Sequence, residues 1–370
     1  MNHYPSNVKE KLNSIILSMA EHHWLFSKNP GHDFTRQHLG KLSFYDTMRL
    51  IISMGKGSTN DEIMDYFDLD PDLIPSQSAF CQRRRQISLS AFEYLFSEFS
   101  SSFPSTTDKF KDHCILACDG CHVVYATNSD IIEDYNKPRL IDYKGYNHMH
   151  LNGFVDVISK AFLDVVIQPG QQPDEREALH SMLDHFTPDD PQKYIITADR
   201  GYESYDLLFH CEFKNLGYVF RVKSPSSPKS ILSYYASELP DDLEEFDVTI
   251  KRFFTDKATN IMKSQSDVYR YINPSKNTPH FYELLRKNHS HLYFLQFRVV
   301  KIKTAENTYE YLITNLPFSF TLDDIQECYH WRWGIEISFR YLKHAAGLLY
   351  FHSKQPEFLK QEIYSRLILY

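Results

Sequence analysis

From residue 109 onward the chain is a succession of short apolar runs, and their lengths and periods limit its fold more than any other feature. Runs suited to strands stand at 114–118 (CILAC), 149–157 (MHLNGFVDV) and 162–168 (FLDVVIQ), with Ser159 and Lys160 near a tight turn between the last two. A helix is predicted over 174–185 (DEREALHSMLDH), a strand over 193–198 (KYIITA), a helix around 204–212 and a strand over 217–222 (GYVFRV).

Three strands, a helix, a strand, a helix and a strand is the element order of a ribonuclease H-like core. The fold class read from the sequence is α/β (α+β), with that core, a β-rich insertion and an N-terminal all-helical domain. Residues 1–108 read as helical: apolar positions recur at helical spacing in 44–54, and Ser76 can cap the helix that follows it. Punctuation at 101–108 (SSFPSTTD) marks a boundary. The first part of the core spans 109–222, and a β-rich insertion follows at 223–318, including LYFLQFRVVKIK and YEYLITNL. Residues 319–370 are helical again from Thr321, an expected N-cap with Asp324 three residues on. The chain stops at SRLILY inside an apolar helical pattern, as a shortened copy would.

Net charge is −8, which argues against a nucleic-acid partner until its distribution is considered. Residues 61–72 and 238–247 hold six acids each and no base, and without those twelve the chain carries 36 acids against 40 bases. Acid-free basic stretches lie at 214–229 and 286–303, with Arg83, Arg84 and Arg85 forming a third cluster. Charge segregated in this way permits a local DNA-binding face on an acidic chain. No run approaches 18 apolar residues and no signal peptide is evident, so the expected location is the cytoplasm.

The segment HCILACDGCH (113–122) invites a zinc reading, since Cys118 and Cys121 have knuckle spacing. There is no second C-x2-C, however, and Cys81, Cys211 and Cys328 are isolated. As a strand, the segment places Cys114, Leu116 and Cys118 on one face and Ile115, Ala117 and Asp119 on the other. The first two cysteines then read as small core residues, and the strand delivers one carboxylate.

Asp119 and Asp199 each follow a short apolar strand and precede a glycine within two residues, a position where α/β sheets present catalytic groups. Taken singly, each is equally ordinary turn chemistry. The helix predicted at 329–343 (YHWRWGIEISFRYLK) is more specific: Tyr329, Arg332, Glu336, Arg340 and Lys343 fall along one stripe, framed by Trp331, Trp333, Ile335 and Phe339.

Tyr329, Arg332, Glu336 and Lys343 form the pattern Y-x2-R-x3-E-x6-K, which resembles the signature of the YREK group of DDE insertion-sequence transposases, the insertion sequence four-like family. ACDG (117–120) and TADRGY (197–202) look like that family's two aspartate motifs, SAFCQRRRQIS resembles the segment before its core, and YLITNLP the strand leading back into it. The resemblance spans residues 76–370. It implies a catalytic triad of Asp119, Asp199 and Glu336 holding two Mg²⁺ ions, with Mn²⁺ able to substitute, and Tyr329, Arg332, Lys343 and Arg340 on DNA phosphates. It further implies cleavage of double-stranded DNA at terminal inverted repeats, 3′-OH transfer into target DNA, a homodimer on paired ends, and a bacterial chain associated with the nucleoid. Relatives that flip a base do so with a tryptophan in the insertion, whereas Trp24, Trp331 and Trp333 lie outside 223–315. Two other readings compete: a truncated, catalytically defective copy that binds DNA or dimerises, and a ribonuclease H-like nuclease with no role in transposition.

Overall fold

The computed structural model describes residues 4–34, 42–102, 109–137, 145–257, 259–273 and 278–370. Most of the boundary punctuation at 101–108 lies outside them. Five helices come first: α1 (Tyr4–Glu21), α2 (Phe44–Ser53), α3 (Thr59–Tyr66), α4 (Gln77–Gln86) and α5 (Leu89–Ser101). Serine side chains cap three of them. Ser43 and Ser58 form reciprocal capping boxes with Asp46 and Asp61, and Ser76 accepts from the Ala79 amide.

The core follows as β1 (Cys114–Tyr125), β2 (Tyr135–Asn136), β3 (Tyr146–Asp156), β4 (Ala161–Pro169), α6 (Glu175–His185), β5 (Tyr194–Ala198), α7 (Tyr205–Phe213) and β6 (Gly217–Val222). β1 lies between β3, its antiparallel neighbour, and β5, which it pairs in parallel; β4 flanks β3 and β6 flanks β5. The order β4-β3-β1-β5-β6 is the ribonuclease H-like arrangement expected from the element order. The chain continues through β7 (Phe246–Thr255), α8 (Asn260–Ser264), β8 (Tyr269–Tyr271), α9 (Pro279–Lys287), β9 (Leu292–Ala305) and β10 (Thr308–Thr314). β10 pairs with β6, so the inserted strands prolong the core sheet to ten strands instead of building a second one.

Alternation along β1 sorts the two cores. Ile115 and Ala117 pack with the N-terminal helices and with the closing helices α10 (Leu322–Trp331), α11 (Trp333–His344) and α12 (Pro356–Leu369). Leu116 and Cys118 face the opposite side, where α6, α7 and α9 cover the sheet. The result is three layers, and no described helix is long and apolar enough to cross a membrane.

α12 packs into the N-terminal helices. Arg84, buried on α4, reaches Glu362 at 2.8 Å, Gln361 at 3.0 Å and the Phe358 carbonyl at 2.7 Å, and Arg366 donates to the Met54 and Gly55 carbonyls. Arg84 is thus a structural tie, which corrects its reading as part of a surface basic patch.

The segregated charge also looks different in space. The acidic stretch 238–247 folds onto the basic stretch 286–303: Asp247 pairs with Arg298, Asp241 with Lys301 and Glu244 with Lys303. In 214–229, Arg221 pairs with Glu310 and Lys223 with Glu203. Arg298, Lys301 and Lys303 of one stretch and Arg221 and Lys223 of the other are thus engaged by carboxylates next to them in the fold, which takes them out of a free cationic face.

Candidate active site

Asp119 does not end its strand. β1 runs on to Tyr125 as one arm of a hairpin with β3, while its parallel partner β5 stops at Ala198. The ladder to β5 involves Cys114 to Ala117 only, so Asp119 stands where one neighbour of β1 has just departed. That opens a notch at the carboxyl end of β5, and Asp199, the next residue after that strand, sits at its edge. Gly120 is not a turn residue either. A Cβ there would meet His150 Nε2 at 2.2 Å and Glu175 Oε1 at 2.8 Å, so only glycine lets these side chains cross the strand.

The helical stripe meets the notch from the other side. The predicted helix 329–343 is interrupted: α10 ends at Trp331, α11 begins at Trp333, and Arg332 joins them. Its amide donates to the Tyr329 carbonyl at 3.0 Å and its carbonyl accepts from Ile335 at 3.1 Å, a tightened turn of 3₁₀ type. The Arg332 side chain is buried and forks, Nη1 donating to Asp119 Oδ2 at 3.3 Å and Nη2 to Glu336 Oε1 at 2.9 Å. Tyr329 is buried beneath it, with its ring centre 5.7 Å from the guanidinium. Lys343 lies beside Cys121; it draws the thiol down, but burial prevails and pushes it up to about 11. Arg340 is exposed and takes part in no ion pair among the described residues.

Asp199 accepts from the Gly201 amide at 2.7 Å, and both Asp199 and Glu175 overhang Gly201. Glu175, at the first position of α6, is a fourth carboxylate that the sequence reading missed. It receives His150 Nε2 at 3.1 Å. In sequence it is one of several acids in PDERE, where a helix N-terminus favours negative charge in any case, so nothing singled it out. The sulfur atoms take a bystander's place: Cys114 and Cys118 are buried, and burial raises the Cys118 thiol, keeping it protonated.

Burial pushes the Asp119 carboxyl up to about 6; the Gly120 amide and Arg332 oppose this, while Asp199 and Glu175 add to it. An acid whose folded-state value lies above its unfolded value contributes stability that is complete below about pH 4 and is lost as pH rises through about 6. In chelator-treated protein, Asp119→Asn should therefore raise the melting temperature near pH 8, by roughly 3 kcal/mol of stability, and make no difference near pH 4. Thermal melts of both proteins across that range test this.

Arg332 joins Asp119 to Glu336, and Asp199 and Glu175 meet over Gly201; among the described residues no three of these carboxylates bring oxygens within 4.8 Å of one another, although oxygen donors of this kind suit a hard divalent cation. Residues 110–370 match the transposase DDE domain family. No curated protein matches the chain. Among solved structures, a cryo-EM structure of a piggyBac transposase synaptic complex with hairpin DNA is similar at 10% identity and a TM-score of 0.44, over 87% of this chain and 62% of that one. The present chain thus spans less than two thirds of that relative's length. On the match across its core and its closing helices, this chain belongs to the transposase DDE domain family.

Proposed function

We propose that the chain is a Mg²⁺-dependent DNA transposase of the YREK group that cuts DNA at transposon ends and transfers the resulting 3′-OH into target DNA. The observation that carries this reading is Arg332 bridging Asp119 and Glu336 at the notch where Asp199 leaves β5. Asp119, Asp199 and Glu336 would hold two Mg²⁺ ions, or Mn²⁺ in their place. Ions bound there supply a lowered water pKa and neutralise charge developing on attacking and leaving oxygens.

The chain's own residues prepare the site. Arg332 holds the two carboxylates in register at a half-buried position, and its bidentate fork also suits a phosphate. Lys343 and Arg340 on α11 would offer cations toward the DNA backbone, and the phosphate contact expected of Tyr329 would need its hydroxyl uncovered, since that group is buried beneath Arg332. His150 orients Glu175 at the rim. The four segments 1–108, 109–222, 223–318 and 319–370 would act as an end-binding helical domain, a split core and its insertion, in a homodimer on paired DNA ends in the bacterial cytoplasm.

The DNA flanking the gene tests the reading. Short inverted repeats and a target duplication are expected on both sides, and duplexes carrying those repeats should be cut and joined to a second DNA in Mg²⁺. Equal cutting of unrelated duplexes would instead support a nuclease without a transposition role.

A further inference from the structure

Three histidines from distant parts of the chain meet on the face of the sheet covered by α6, α7 and α9. His180 comes from α6, His210 from α7 and His280 from α9, and one ring nitrogen of each lies within 4.8 Å of the others. The rings are nearly parallel, with His280 4.4 Å from His180 and 3.7 Å from His210. His210 is fully buried and His280 nearly so.

Each imidazole turns a nitrogen toward a carboxylate. His280 Nδ1 is 2.8 Å from Asp206 Oδ2, His180 Nε2 is 3.5 Å from the same oxygen, and His210 Nε2 is 3.2 Å from Asp184. His280 Nδ1 donates to Asp206, which leaves its Nε2 with a lone pair, whereas His210 Nε2 makes no hydrogen bond with its carboxylate neighbour. The Nδ1 atoms of His180 and His210 face each other at 2.9 Å, a hydrogen bond in which one ring donates a single proton to the other. A divalent cation that displaced this proton would find two lone pairs directed at one point. Carboxylates oriented on the outer nitrogens are also the arrangement that fixes tautomers around a histidine-bound metal.

We infer that His180, His210 and His280 form a binding site for a borderline divalent transition metal of the Zn²⁺ class, separate from the carboxylate site. Three imidazoles with a fourth position open match the ligand number of a tetrahedral zinc site, and two ligands ~2.0–2.1 Å from such an ion would stand only a few tenths of an ångström farther apart than these Nδ1 atoms do. Mg²⁺ is a poor fit to an all-nitrogen set. Asp206 couples the site to the fold, since its Oδ1 accepts the His280 and Phe281 amides at 3.1 and 3.3 Å at the start of α9, where Thr278 supplies no side-chain cap. A metal here would clamp the inserted helix α9 to two helices of the core.

The test is metal analysis of the untagged full-length chain after dialysis against excess Mg²⁺. One equivalent of zinc per chain is expected, unchanged in Asp119→Asn and reduced at least about tenfold in His180→Ala and His210→Ala. If those variants fold poorly, calorimetric titration of Zn²⁺ into the chelator-stripped, unmodified chain should still give one tight site that Mg²⁺ does not compete for. The inference is overturned if that titration shows no stoichiometric site, or if Asp119→Asn removes the binding while the histidine variants keep it.

Discussion

Asp119→Asn and Glu336→Gln should each lower Mg²⁺-dependent DNA cleavage by more than about a hundred-fold while leaving DNA binding largely intact. Loss of an outer-shell partner alone commonly costs 10–100-fold at a metal site, so removal of a direct ligand should exceed that. Both substitutions keep side-chain volume and remove one negative charge, so the Arg332 fork, which touches both residues, stays in place. A gel-shift assay beside a cleavage assay on the same labelled duplex separates the two effects. A variant that cuts at an undiminished rate would remove that carboxylate from the catalytic set.

The second large effect concerns folding. Arg84→Ala should destabilise the chain by about 3–5 kcal/mol, because it leaves Glu362 buried without its main counter-charge. The same change removes donors from Gln361 and the Phe358 carbonyl and loosens α12 from the helices it packs against. Replacing both partners by apolar residues, Arg84→Met with Glu362→Leu, should recover much of the loss, since an apolar pair has no charge to strand. Chemical denaturation of the single and double variants measures the difference. Equal losses in both would assign the cost to packing volume and not to charge.

The order of elements was legible because strand and helix differ in period: the helices expected at 174–185 and 204–212 and the strand at 217–222 coincide with α6, α7 and β6 to within a residue. Local capping was legible too, at Ser76 and at Thr321 with Asp324. The end of β1 was not, because the apolar run stops at Cys118 while the strand continues as a polar hairpin arm held by β3. Asp-Gly reads as a turn in sequence, yet Gly120 is there because His150 and Glu175 need its missing side chain. Charge pairing was invisible for a different reason. Asp247 and Arg298 are 51 residues apart and meet only because β7 and β9 pair. The three histidines likewise come from three helices with no shared motif, whereas the cysteine cluster that looked like a metal site is divided between core packing and Lys343.

The acids around Arg332 are proposed to act together as a divalent-metal site for DNA strand cleavage. The most direct test is a labelled duplex incubated with the purified chain in Mg²⁺, in Mn²⁺ and in chelator, with Asp119→Asn in parallel. 3′-OH ends are expected in either metal and none in chelator or with the variant. Cleavage that persists in chelator, or that Asp119→Asn leaves unchanged, would contradict the proposal.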